Sequence, residues 1–238
     1  MMGTLANQIA LVTGASSGIG RAIAVALAAA GARVGLVARD EGALAEVARE
    51  IGGGAFVLPC DLADDEQIGG LPDRIVAQAD PVDILIHSAA VYFQKPLETA
   101  PVEEFDLQYR INLRAPYLLT QKLLPQLKER RGQVVFINSS TGVNARPTVT
   151  QYAAVKHGLK GLADALRMEV VSAGVRVISL YPGQTATPMQ EHRHALENKA
   201  YQPEKLIQPV DVATALVTAI AMPRNAVITD LHIRPAGN

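Results

Sequence analysis

The chain of 238 residues has no tryptophan, one cysteine and few aromatic side chains of any kind. A single cysteine, Cys60, makes an intrachain disulfide impossible, so the sequence predicts a reducing compartment, the cytoplasm. Cys60 ends an apolar run and reads as a buried filler rather than a reactive thiol. The net charge is only −1, which leaves no basic footprint and predicts no nucleic-acid partner. The longest alanine-rich run, Ala22 to Ala30, is too short to span a bilayer, and no membrane association is expected. The N-terminus lacks the charged lead and apolar core of a secretory leader. Met2-Gly3-Thr4 lacks the downstream Ser or Thr of a myristoylation signal. No repeat, low-complexity segment, inter-domain linker or metal-binding cluster stands out.

What is present is aliphatic. Hydrophobic residues make up 49%, much of it Ala, Val, Leu and Ile, as expected for parallel strands buried under small-residue helices. Short apolar runs predict strands at 9–12, 33–38, 55–59, 83–86, 133–138, 175–180 and 226–233. Helices are expected at 21–30, from Asp40 to about 50, at about 64–79, at 101 to about 124, at 150–173 and at 210–221. Gly31 and Gly174 stop helices, and Gly52-Gly53-Gly54 breaks one. The 150–173 helix keeps apolar residues at helical spacing, and Gly158 and Gly161 on it would permit close approach to another backbone. This alternation, without a composition break, predicts one α/β domain over residues 1–238. Its core would be a doubly wound, mostly parallel seven-stranded sheet with helices on both faces.

The first strand runs into Thr13-Gly14-Ala15-Ser16-Ser17-Gly18-Ile19-Gly20 and then a helix. Glycines there allow a tight turn and close backbone approach, and the helix N-terminus offers free N–H groups to a pyrophosphate. Gly14, Ser16, Ser17, Gly18, Ile19 and Gly20 are therefore candidate dinucleotide-binding residues. The group after the second strand should read the ribose 2′ position. Arg39 favours a 2′-phosphate, hence NADP(H) over NAD(H), because Asp40 is better used as a helix N-cap. Asp61, after the third strand, reads equally as an acceptor for an adenine amino group or as a helix cap.

Tyr152 and Lys156 are four apart, on one face of a predicted helix. A phenol has a pKa of about 10, and a neighbouring ammonium favours the phenolate. The Ser139 hydroxyl, just past an apolar run, could reach the same reacting oxygen.

Together these pieces resemble the short-chain dehydrogenase/reductase family, in its small single-domain branch. The resemblance runs from Ile9 to about Pro235. It is carried by the glycine loop, Asp61-Leu62, Asn112, Ser139, Tyr152-x-x-x-Lys156 and Pro182-Gly183-x-x-x-Thr187, in matching order and spacing. It implies a Rossmann-type fold and an oxidoreductase of carbonyls and secondary alcohols. Tyr152 would be the general acid and base. Lys156 would hold the nicotinamide ribose and lower the Tyr152 pKa. Ser139 would hydrogen-bond the substrate oxygen, and Asn112 would hold a water linking Lys156 to solvent. Thr187 and the backbone near Gly183, with Pro182 and Thr185, would fix the nicotinamide carboxamide. Ser88, Ala89 and Ala90 would line the adenosine ribose.

Two departures from the family pattern stand out. His87-Ser88-Ala89-Ala90 replaces the usual Asn-Asn-Ala-Gly, with His87 read as a packed strand-end residue rather than a catalytic one. The chain also ends Arg234-Pro235-Ala236-Gly237-Asn238, without the usual Gly-rich tail. The family's two long helices imply a homotetramer, or else a homodimer.

The segment 188–208 should cover a small-molecule carbonyl or alcohol substrate. It carries Gln190, Glu191, His192, Arg193, His194, Asn198 and Lys199. It reads first as a solvent-facing lid and second as the wall for a polar or anionic substrate, with Tyr92, Phe93, Asn144, Arg146 and Gln184 nearby. A 3-oxoacyl carrier-protein reductase, using Arg130 and Arg131 to grip an acidic carrier, ranks second to a small-molecule carbonyl reductase. A non-catalytic dinucleotide-binding redox sensor is the alternative outside enzymes.

Overall fold

The computed structural model describes residues 4–79 and 81–236. Met2-Gly3 of the excluded lipidation signal and Gly237-Asn238 of the tail lie outside the described residues. Seven strands form one sheet: β1 (Ile9–Thr13), β2 (Arg33–Ala38), β3 (Ala55–Pro59), β4 (Ile84–His87), β5 (Gln133–Ile137), β6 (Arg176–Pro182) and β7 (Asp230–Ile233). Their order is β3-β2-β1-β4-β5-β6-β7, and every pairing is parallel. The expected doubly wound Rossmann-type sheet is therefore present, and it is wholly rather than mostly parallel.

Successive strand residues point to opposite faces, so each strand feeds two cores. Ala10 and Val12 face one, with Ile23, Leu27, Leu44 and Leu216. That side is covered by α1 (Gly18–Ala29), α2 (Glu41–Ile51) and α9 (Pro209–Ile220). Ile9 and Leu11 face the other, with Leu71, Leu119, Phe136 and Leu159. That side is covered by α3 (Asp65–Gly69), α4 (Leu71–Val76), α5 (Val102–Tyr109), α6 (Ala115–Glu129) and α7 (Thr150–Val170). Aliphatic contacts thus do the work that the missing aromatics would otherwise share.

Four local expectations change. The helix expected over 64–79 is two short ones, because Gly70 interrupts it and Pro72, lacking an N–H, belongs in the first turn of a new helix. The long helix expected from 101 contains a wide turn at Arg110–Arg114, around Asn112, between α5 and α6. The last strand begins at Asp230, not at 226. On α7, Gly158 meets not a backbone but the Leu113 side chain, whose Cδ2 would lie 2.9 Å from an added Cβ. Gly161, in contrast, faces open space.

The strand order reverses direction between β1 and β4. In such sheets the crevice beyond the strand ends at the reversal is where ligands bind. Thr13, His87 and Phe136 lie side by side at that edge.

Candidate active site

A cleft of about 570 Å³ opens at this edge. Its first wall is the glycine turn between β1 and α1. Gly14 has φ +68° and Gly18 φ +53°, conformations that side chains disfavour. A Cβ on Gly20 would sit 2.1 Å from the Gly14 carbonyl oxygen, and one on Gly14 would strike the Ala89 backbone. Ser17 caps α1 without a side-chain hydrogen bond, and no acidic residue occupies the first turn. The first N–H groups of α1 therefore keep their positive end for a ligand. These observations fit a dinucleotide pyrophosphate.

At the end of β2, Arg39 is exposed and lines the cleft. Asp40 is spent on capping α2, its carboxylate accepting from Ala43 N at 3.0 Å. Asp61 also lines the cleft, accepting from Ala63 N at 2.9 Å. The cap of α3 is Asp64, not Asp61. Cys60 is buried, and burial pushes its thiol up to about 11, in keeping with a filler.

The β4 corner departs from the usual residues yet is well held. The Thr13 hydroxyl donates to Ile86 O and accepts from Ser88 N and Ala89 N, at 3.1–3.3 Å. His87 is buried, stacks on Phe136 with ring centroids 5.1 Å apart, and bonds Thr120 Oγ1 through Nε2 at 2.8 Å. Burial pushes its pKa down to about 3. A neutral, tethered imidazole is a packing group, as expected.

Ser139, Tyr152 and Lys156 line the other end of the cleft. Ser139 ends the β5 connection and caps a short 3₁₀ turn, accepting from Thr141 N at 3.1 Å. Its hydroxyl also acts on the Tyr152 phenol, pulling that pKa down against burial. Tyr152 and Lys156 follow on α7, both buried. Lys156 Nζ donates to Ile137 O at 3.0 Å, and Asn138 Nδ2 donates to Lys156 O at 3.1 Å. Gly142 makes this junction possible, since a Cβ there would lie 2.3 Å from Asn138 Oδ1.

The expected acidification of Tyr152 by Lys156 is not what these residues produce by themselves. Burial pushes Tyr152 up to about 12, while Ser139 and the charge of Arg193 pull down. Burial likewise lowers Lys156 to about 8. Desolvation penalises both charged forms, and in this protein it outweighs their neighbours.

Every predicted cofactor residue lines the one cleft: Gly14, Ser16 to Gly20, Arg39, Asp61, Leu62, Ser88 to Ala90, Pro182, Gly183, Thr185 and Thr187. So do Ser139, Tyr152 and Lys156. Thr187 also caps α8 (Pro188–Leu196), accepting from Gln190 N at 3.2 Å. Asn112 does not line the cleft. Its side chain is committed behind the wall, to Val91 N and Val91 O, both at 2.8 Å. Phe93 is likewise outside the lining, whereas Tyr92, Asn144, Arg146 and Gln184 are in it. Sequence reasoning missed Met189 and the strand-end residue Ile137, apolar residues that sit beside the Thr187 and Ser139 motifs but carry no chemical group of their own.

Among the described residues, no group of His, Cys, Asp and Glu is arranged to hold a metal ion, and no helix is long and apolar enough to cross a membrane.

Comparison with known proteins agrees with this geometry. The family model described as short chain dehydrogenase matches residues 8–198. An uncharacterized short-chain type dehydrogenase/reductase of Sinorhizobium fredii is 34% identical, over 97% of this chain and 92% of its own. The fold is similar to that of a 3-ketoacyl-(acyl-carrier-protein) reductase from Brucella melitensis complexed with NADH. The two are 29% identical with a TM-score of 0.86, over 96% of this chain and 97% of that one. It is also similar to an alcohol dehydrogenase from the archaeon Thermococcus sibiricus complexed with 5-hydroxy-NADP, at 25% identity and a TM-score of 0.88, over 97% of both chains. With the glycine turn, the β1/β4 crevice and the Ser139-Tyr152-Lys156 cluster in one cleft, the chain belongs to the short-chain dehydrogenase/reductase family of oxidoreductases.

Proposed function

We propose that this protein is an NADP(H)-dependent oxidoreductase that interconverts a carbonyl and a secondary alcohol, with Tyr152 as general acid and base. One observation carries the reading. A single cleft has a phosphate cradle and Arg39 at one end, and Ser139, Tyr152 and Lys156 together at the other. The bound nicotinamide supplies the hydride in reduction and accepts it in oxidation. Reduction builds negative charge on the carbonyl oxygen. Ser139 and Tyr152 present two hydroxyl donors to it, and such donors act most strongly where water is excluded. Tyr152 then gives up its proton. Lys156, held on Ile137 O, places its ammonium to grip the nicotinamide ribose and to replace that proton. The Asn112 side chain bonds Val91 N and Val91 O, and its part in a proton relay is the least supported of the four roles.

Arg39 supports NADP(H) over NAD(H), since Asp40 is occupied as a cap. Relatives carry both kinds of nicotinamide. The domain comprises residues 1–238, with 188–208 covering a small-molecule substrate. Tyr109 and Tyr117 are exposed and border a shallow cleft with Leu113 of the wide turn and Leu162 of α7, which supports a homotetramer or homodimer; the lone buried cysteine, Cys60, supports the cytoplasm. The carrier-protein alternative is weaker, because Arg130 Nε is taken by Asp83 at 2.9 Å. The sensor alternative is weaker because Ser139, Tyr152 and Lys156 are all retained.

The test is turnover. Purified protein with NADPH and a panel of ketones and aldehydes should consume the nicotinamide. Tight NADPH binding with no turnover of any carbonyl or alcohol would instead favour the sensor.

A further inference from the structure

Two guanidinium groups stand at the substrate end of the cleft. Arg146 comes from the loop after β5, and Arg193 from α8. The carboxylates that line the cleft, Asp40 and Asp61, both lie at the adenosine end. The counter-charge for the arginines is Glu197, which stands behind them and outside the lining. It bonds Arg193 Nε at 2.9 Å, meets Arg146 Nη1 at 3.5 Å, and pairs with Lys199 at 2.7 Å. Lys199 and Arg193 hold Glu197 ionised, its pKa down at about 2 against the cost of burial. Three positive groups thus share one negative one.

The two arginines are also fixed in direction. Arg146 Nη2 donates to Tyr92 OH at 2.9 Å, and the Tyr92 ring packs edge-on against Tyr152 with centroids 4.9 Å apart. Arg193 engages Glu197 through Nε alone, which leaves its two terminal nitrogens as a fork. The charge of Arg193 reaches the Tyr152 phenol.

We infer that the substrate carries an oxyanion, a carboxylate or a phosphate ester, and that Arg193 with Arg146 grips it beside the carbonyl that Tyr152 protonates. This rests on the oxidoreductase reading above. Arginine is suited to both anions because its planar fork matches two oxygens at once. Glu197 aims the fork and prevents the two cations from repelling each other apart.

The experiment compares kcat/KM with NADPH for matched pairs. One set is 2-, 3- and 4-oxo acids against their methyl esters. The other is dihydroxyacetone phosphate against dihydroxyacetone. In the wild type, at least one charged member should exceed its neutral partner by about tenfold or more, the usual worth of a charge-assisted hydrogen bond. Which set shows the preference distinguishes carboxylate from phosphate. Arg193→Gln should collapse that ratio towards one, mainly through KM, and Arg193→Lys should restore part of it. Equal rates within every pair, or a preference that survives both Arg193→Gln and Arg146→Gln, would overturn the inference and leave the oxidoreductase reading standing. Failure to reduce any carbonyl with either nicotinamide would bring down both.

Discussion

Lys156 Nζ donates to the main-chain oxygen of Ile137 at 3.0 Å and lies 5.8 Å from the centroid of the Tyr152 ring. Ile137 ends β5 and Lys156 sits on α7, so this bond fastens the helix to the strand end from which Ser139 projects. The same lysine therefore holds the local geometry and supplies the charge beside the phenol. Its lowered pKa, about 8, is the cost of placing that charge where water is scarce.

Lys156→Met keeps the length of the side chain and removes the charge. It should lower kcat/KM for carbonyl reduction by about a hundredfold or more, the range for a positioned proton-transfer group. Circular dichroism should show a folded protein. In the wild type, activity in the reductive direction should fall as pH rises through about 8, where Lys156 loses its proton. That limb should be missing from the residual activity of the variant. Steady-state kinetics between pH 6 and 10 check both statements.

Arg39 should decide between the two nicotinamides. Arg39→Ala should weaken NADPH binding by about tenfold or more and leave NADH binding nearly unchanged, because only the former offers a 2′-phosphate to a guanidinium. Fluorescence titration with each cofactor reads this directly. An equal loss for both would mean that the arginine serves the fold, and an absence of loss would mean that another group reads the ribose.

His87 sets an acid limit on stability. Its pKa is about 3 folded and about 6.5 unfolded. Between those values the unfolded chain binds a proton that the folded one refuses, so stability falls as pH drops from 6.5 towards 3. Above 6.5 the full stability is present. His87→Gln does not titrate there and should flatten the decline, which in the wild type is of the order of a few kcal/mol. Urea midpoints at pH 4 and pH 7 for both proteins measure the difference. An equal decline in both would assign the acid sensitivity to other groups.

Much of this was legible in the sequence. The apolar runs gave all seven strands within a few residues, and the glycine spacing pointed to the cradle. Helical spacing joins Tyr152 to Lys156, and the end of an apolar run with the family's motif order joins Ser139 to them. What escaped was either masked by a competing local pattern or non-local. The wide turn at Arg110–Arg114 has no composition signal, since its residues suit an ordinary helix. The break at Gly70 was readable from Gly69-Gly70-Leu71-Pro72, and the apolar periodicity on either side masked it. The shared Glu197 could not be foreseen, because its partner Arg146 is 51 residues away. The four-residue spacing reveals the lysine beside Tyr152 but not the desolvation, which holds the phenol high in the protein alone.

The central claim is that Tyr152 moves the proton. The most direct measurement pairs NADPH titration with carbonyl turnover in Tyr152→Phe. This change removes one oxygen and preserves the ring that packs against Tyr92. The account predicts NADPH binding within about twofold of wild type and a loss of about a hundredfold or more in kcat for a reducible carbonyl. Retention of kcat in Tyr152→Phe would contradict it and assign the proton to another group.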